Sequence, residues 1–210
     1  MKKSQRALVL APHTDDGELG CGGTITRLIA EGTAVYYVAF SLCRRSLPAH
    51  LPPDTLEKEV KVATKILGIP SENLILLDYD VRRFKEFRQD ILEDMIKIRT
   101  QVNPDLVFLP ASSDIHQDHQ VITEEGLRAF KQSSVLGYEL PWNNTSFNNG
   151  CFIKLEAAHV DNKIKALGAY ESQKQRTYFN DNFIRSLATV RGVQISTPYA
   201  EAFEVLRWII

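Results

Sequence analysis

The sequence predicts an α/β protein whose mostly parallel sheet is covered by helices in a three-layer arrangement. Short β-branched runs alternate with longer segments of helical period. The alternation recurs at roughly the spacing that βαβ crossovers require, some tens of residues per unit. The chain, 210 residues with 44% hydrophobic and 24% charged side chains, can bury a single core without disulfides. We read one domain over residues 1–210, with the strand–helix core at about 6–130 and looser loop and C-terminal elements at about 131–210. There is no internal repeat and no low-complexity segment.

Residues 7–10 (ALVL) form the first expected strand, short and wholly apolar. A helix is expected over 20–31, with Ile25, Leu28 and Ile29 on one face and Gly32 as its stop. Residues 34–40 (AVYYVAF) predict the second strand. A Pro-rich loop at 47–53 leads to Asp54, an N-cap residue type, and to a helix closed by Gly68 at the C′ position. Residues 74–77 predict the third strand. The apolar spacing of Ile91, Leu92, Met95, Ile96 and Ile98 predicts a helix over 87–102. Asn103-Pro104 breaks it, and 106–109 (LVFL) predict the fourth strand. Past about Phe130 the pattern loosens. Residues 140–150, rich in Asn, read as an exposed loop, 159–170 and 182–190 as helical, and 203–210 as a terminal strand.

Formal net charge is −1, with acidic and basic residues interleaved, so nothing suggests a nucleic-acid footprint. The apolar run at 7–10 is too short for a signal-peptide core or a membrane span. Cys21, Cys43 and Cys151 lack metal-finger spacing and fit inert thiols in a reducing compartment, so the expected location is cytoplasmic.

Two polar clusters follow predicted strands, where sites of open α/β sheets gather. The first runs Ala11-Pro12-His13-Thr14-Asp15-Asp16-Gly17-Glu18 and the second Ser112-Ser113-Asp114-Ile115-His116-Gln117-Asp118-His119; together they hold three of the five histidines. Two histidines, a carboxylate and a water make a catalytic zinc site. His13 and one of Asp15 or Asp16 can come from the first cluster, and His116 or His119 from the second. Adjacent aspartates in a tight turn point different ways, so one can bind the ion while the other accepts a proton from its water. The spare histidine, if protonated, can stabilise an oxyanion and donate to a leaving amine. A bland reading exists for each cluster alone, a helix cap for the first and a chance His-x-x-His for the second; their pairing after two strands weakens both. The run Gly20-Cys21-Gly22-Gly23 lacks the spacing of a nucleotide-binding loop, and close packing of its helix explains it more simply.

His13-Thr14-Asp15-Asp16 followed by Glu18-Leu19-Gly20-Cys21-Gly22-Gly23-Thr24 resembles the opening motif of the PIG-L/LmbE-like N-acetylglucosaminyl deacetylases, and His116-Gln117-Asp118-His119 resembles their second. The likeness runs from Ala7 to about Phe130, with Tyr170-Glu171-Ser172-Gln173 also similar. It implies a Rossmann-like deacetylase fold holding one divalent ion per chain, usually Zn²⁺, though another divalent transition metal fits. It further implies His13, Asp16 and His119 as metal ligands, Asp15 as general base on metal-activated water, His116 as polarising or proton-donating group, and Asp118 as the orienter of a histidine. The function implied is removal of an acetyl group from an N-acetylated amino sugar or related small molecule, and the family often forms homo-oligomers. Gly17 stands where members often place Glu, and Ser41-Leu42-Cys43-Arg44-Arg45-Ser46 replaces the Thr-Arg-Gly-Glu-like segment of many members, which bears on substrate rather than metal.

Arg44, Arg45, Trp142, Asn143, Asn144 and Arg191 are the candidate substrate contacts; Trp142 can stack on a sugar ring or simply anchor its loop. Arg82 and Arg83 read as a solvated basic pair. An arginine facing the pocket would favour a phosphorylated or nucleotide-linked sugar. The rival readings are a metal-dependent phosphoesterase and a non-catalytic sugar-binding protein on the same fold.

Overall fold

The computed structural model describes residues 4–210; the first three residues of the expected domain lie outside the described residues. Seven strands form one sheet in the order β3-β2-β1-β4-β5-β7-β6. In chain order these are β1 (Arg6–His13), β2 (Ala34–Ser41), β3 (Leu74–Leu76), β4 (Leu106–Pro110), β5 (Ser134–Tyr138), β6 (Cys151–Leu155) and β7 (Tyr199–Arg207). β1 to β5 are mutually parallel, whereas β7 runs antiparallel to both β5 and β6. The helices are α1 (Asp16–Ala30), α2 (Thr55–Leu67), α3 (Arg88–Val102), α4 (Gln117–Ala129), α5 (Ala157–Leu167) and α6 (Asp181–Val193).

Successive strand residues face opposite sides of a sheet, and that alternation builds two cores. Ala7, Val9 and Ala11 of β1 join Tyr37, Phe108 and Tyr138 in one core, covered by α1, α2, α5 and α6. Leu8 and Leu10 join Val38, Phe40, Val107 and Leu109 in the other, covered by α3 and α4. The central strands are apolar on both faces because both faces are covered. No described helix is long and apolar enough to cross a membrane. All three cysteines are free, and burial pushes each thiol's pKa up, which keeps them protonated and inert.

Several boundaries differ from expectation. β1 extends through His13, and α1 begins at Asp16 rather than at residue 20, so only Thr14 and Asp15 separate strand from helix. The second cluster likewise lies at the start of α4, not wholly in a loop. β5 and β6 were unexpected. β5 is five residues long and buried on both faces, so it has no polar alternation to reveal it. Asp54 precedes α2 but makes no cap hydrogen bond; its carboxylate pairs with Lys58 at 2.7 Å. Gly68 does end that helix, at φ +93°.

The glycines of α1 are explained by contact. A Cβ on Gly20 would enter the Tyr138 ring, and one on Gly17 would come within 2.5 Å of Tyr37. α1 also kinks at Cys21 (φ −144°, ψ 23°). The kink frees amides of the second helical segment, and the carboxylate of Glu201 on β7 accepts from Gly23 N at 3.0 Å and Thr24 N at 2.7 Å. Lys163 of α5 closes the group with a 2.7 Å bond to Glu201.

Candidate active site

β1 and β4 are neighbours, yet the chain leaves β1 toward β2 and β3 on one side and leaves β4 toward β5 on the other. Such a reversal opens a crevice at the carboxyl ends of the two strands. The turn after β1 and the segment between β4 and α4 are the connections that border it, and they carry both polar clusters.

His13 Nδ1, Asp16 Oδ2 and His119 Nε2 converge there, with separations of 3.0 Å (His13 to Asp16), 3.2 Å (His119 to Asp16) and 3.2 Å (His13 to His119). The other nitrogen of each ring is occupied. His13 Nε2 lies 3.1 Å from Asp118 Oδ2, and His119 Nδ1 lies 2.7 Å from Asp114 Oδ2. A carboxylate acceptor places the proton on the ring nitrogen beside it, so each histidine, once neutral, turns its unprotonated nitrogen toward Asp16. Three lone pairs facing one point repel unless a cation sits between them. A tetrahedral ion with bonds of about 2.0–2.1 Å needs ligand atoms about 3.3–3.4 Å apart, so the triangle fits one zinc-sized ion with little adjustment. His116 adds a third imidazole: one nitrogen from each of His13, His116 and His119 lies within 4.8 Å of the others, a group that can hold a metal ion.

The electrostatics say the same. Burial opposes charge on His13, but Asp16 and Asp118 outweigh it and raise the pKa to about 9. Burial likewise opposes charge on His119, and Asp16 and Asp114 lift it to about 10. Asp16 is buried, which favours its neutral form, yet His119 and His13 hold it far below the usual carboxylate range. The site therefore attracts positive charge, whether protons or metal. Asp15 behaves oppositely. Burial first, and then the neighbouring Asp16 charge, raise it to about 6, the range of a working general base.

His116 is the N-cap of α4, and its Nδ1 accepts from Asp118 N at 3.2 Å. That bond leaves the proton on Nε2. Burial, then the charges of His119 and His13, push its pKa down to about 4, so the ring is neutral and offers one N–H.

A cavity of about 280 Å³ opens on these groups. His13, Asp15, Asp16, His116 and His119 line it, joined by Trp142 and Asn143 of the predicted contacts. Trp142 lies flat against Tyr178, centroids 3.8 Å apart and planes 7° apart. Four candidates lie elsewhere. Arg44 bonds Asp78, Glu57 and the Pro53 carbonyl, and Arg45 pairs with Asp80 at 3.0 Å. Arg191 grips Glu139 and lines a separate cavity of about 20 Å³. Asn144 ties its own loop, accepting from Leu140 N and donating to Ser113. Each lost the pocket to a nearer partner, which no sequence spacing reveals. Arg82 and Arg83 are both exposed, as a solvated pair would be, but Arg82 also lines the pocket, while Arg83 pairs with Glu86 and Asp80.

Two functional groups were passed over in sequence. Asp114 belongs to the second cluster, but its bond to His119 is a tertiary detail of the β4–α4 turn. Glu18 sits one turn after Asp15, wholly buried between the Tyr37 and Tyr170 hydroxyls, both of which also reach the Thr14 carbonyl. Burial raises Glu18 to about 8. A protonated carboxyl supplies the extra hydrogen this group of acceptors needs, and so pins the Thr14–Asp15 turn.

Residues 8–130 match the family described as PIG-L: GlcNAc-PI de-N-acetylase. A relative from Escherichia coli (strain K12), the uncharacterized deacetylase YaiS, is 29% identical over 175 residues, covering 81% of this chain and 92% of its own. Of solved structures, the conserved protein TT1542 from Thermus thermophilus superposes with a TM-score of 0.80 at 26% identity, over 97% of this chain and 95% of its own. The N,N'-diacetylchitobiose deacetylase from Pyrococcus horikoshii gives 0.76 at 21% identity, over 97% of this chain and 84% of its own, a likeness of fold.

Proposed function

The chain belongs to the PIG-L family of de-N-acetylases, and on that premise we propose that it is a metal-dependent hydrolase removing an acetyl group from an N-acetylated amino sugar. The observation that carries the proposal is the convergence of His13 Nδ1, Asp16 Oδ2 and His119 Nε2 beside a separate, proton-accepting Asp15. We assign those three atoms as ligands of one ion, zinc in this reading. When bound, such an ion would supply Lewis acidity, bringing a water toward a pKa of about 7 and drawing charge from an acyl oxygen.

The remaining work falls to side chains. Asp15, ionised at neutral pH, takes the proton of the attacking water and returns it to the leaving nitrogen as the C–N bond breaks, so that amide and water become acetate and amine. His116 turns its Nε2–H toward the oxygen that gains charge as the acyl carbon becomes tetrahedral. Asp118 and Asp114 fix the orientation of His13 and His119, the usual task of carboxylates behind metal-bound imidazoles. Trp142 and Asn143 would meet the sugar, the indole through its apolar surface and the amide through hydroxyl groups.

The test combines metal counting with product analysis. Purified protein should hold close to one zinc per chain and release acetate from N-acetylglucosamine, with Asp15→Asn keeping the metal and losing about 10²–10⁴ in turnover. Release of phosphate from phosphoesters without acetate from any N-acetyl sugar would replace this reading with a phosphoesterase. An Asp15→Asn variant as fast as the parent would remove Asp15 from the mechanism.

A further inference from the structure

Arg82 occupies a backbone position that suits glycine. It lies at φ +66° in the turn closed by the 3.1 Å bond from Arg83 N to the Asp80 carbonyl. Val81 has no positive φ, so Arg82 is the third residue of a type II-like turn, where glycine or asparagine is usual. A strained non-glycine residue beside a pocket invites a functional account. The turn is also tied to the catalytic apparatus: Arg82 N donates to Asp118 Oδ2 at 2.5 Å, the same carboxylate oxygen that holds His13.

Arg82 lines the pocket, and among the described residues it forms no ion pair, because the acids beside it in sequence are taken: Asp78 by Arg44, and Asp80 by Arg45 and Arg83. Arg176, on the same lining, is likewise without a carboxylate partner; its Nε donates to Gln173 at 2.8 Å and its guanidinium lies 6.0 Å from the Tyr178 ring centre. The acids that line the cavity, Asp15 and Asp16, are committed to the reaction centre. Two permanent cations thus border the pocket with no carboxylate paired to either; both also face solvent, and Arg176 lies near enough to Asp15 to favour its charge.

Resting on the deacetylase reading above, we propose that Arg82, seconded by Arg176, binds an anionic group, phosphoryl or carboxylate, carried by the N-acetylated substrate. Guanidinium groups suit both, since their N–H fork matches paired anionic oxygens.

The experiment compares kcat/KM for N-acetylglucosamine, its 1-phosphate, its 6-phosphate and the carboxylate-bearing N-acetylmuramic acid, in the parent and in Arg82→Gly, Arg176→Ala and Arg83→Ala. At least one anionic sugar should be preferred over the neutral one by about tenfold or more, and which one identifies the anion's source and position. Arg82→Gly should collapse that ratio while its thermal midpoint holds or rises, because glycine adopts positive φ without strain; a purely structural arginine would leave the ratio alone. Arg83→Ala should keep the ratio. Equal kcat/KM across neutral and anionic sugars, or a ratio unchanged in Arg82→Gly, overturns the inference and leaves the deacetylase reading standing. If no sugar yields acetate, the deacetylase reading fails instead. Calorimetric binding of glucosamine 6-phosphate, glucosamine 1-phosphate and muramic acid then judges Arg82 separately: binding lost in Arg82→Gly supports it, and binding unchanged, or none by the parent, rejects it.

Discussion

Asp15 and Asp16 are neighbours in sequence to which the proposed mechanism gives opposite tasks, and their surroundings differ accordingly. Asp16 faces two imidazoles that keep it ionised, whereas Asp15 is buried beside a like charge and pushed up to about 6. A base must be ionised to accept a proton, so kcat/KM should fall as pH drops through about 6, tenfold per unit below it. A bound dication would stabilise the carboxylate and move its own limb lower; a limb near 6 that persists unchanged in Asp15→Asn would exclude Asp15 as its origin. Asp114→Asn should leave the ligand atoms intact yet weaken metal affinity about 10–100-fold, measured by competition with a chelator, because His119 then faces a neutral amide in place of the carboxylate that orients and polarises it. Glu18→Gln should cost little stability at pH 7, since the carboxyl it replaces is protonated there. Glu18→Ala, which leaves the Tyr37 and Tyr170 hydroxyls to share the Thr14 carbonyl, should cost about 1–3 kcal/mol in urea denaturation.

At the scale of elements, α1 is the junction between core and site. Its first turn carries Asp16, its glycines let it lie against Tyr37 and Tyr138, and its kink is capped from β7 by Glu201. That carboxylate and Lys163 are both about 7% exposed as side chains, so removing one leaves the other charged and dry. Glu201→Ala should therefore destabilise the protein by about 3–5 kcal/mol, and Lys163→Met by a similar amount. The double variant should cost clearly less than the sum, which a double-mutant cycle in urea would read directly. Non-coupled losses would mean that the cap, rather than the ion pair, carries the stability. The late strands show why sequence reading weakened past Phe130. β6 and β7 depend on pairing with each other and with β5 rather than on local pattern, and β5 is too short and too buried to show a period.

For the whole molecule, two cores lie on either side of the sheet and neither includes the His13, Asp16 and His119 side chains, so loss of the proposed metal should loosen the crevice and spare the fold. A chelator should leave far-UV circular dichroism unchanged while lowering the melting temperature. An ion at a thousand times its Kd contributes about 4 kcal/mol, or roughly 8–16 °C for a domain of this size; an unmoved melting curve would argue against an ion resident in the native site. The alternation of apolar strands with helical segments and the two histidine clusters are local in the chain, so the sequence alone determined the α/β class, the central strands and the residues His13, Asp15, Asp16, His116 and His119. Partner choice is not local. Whether Arg44, Arg45 and Arg191 reach the pocket or are captured by Asp78, Asp80 and Glu139, and whether the exposed Arg82 also borders it, depends on distances set only when β1 and β4 come together. Tertiary structure decided those, because a charged side chain goes to whichever counter-charge or cavity folding leaves within its reach.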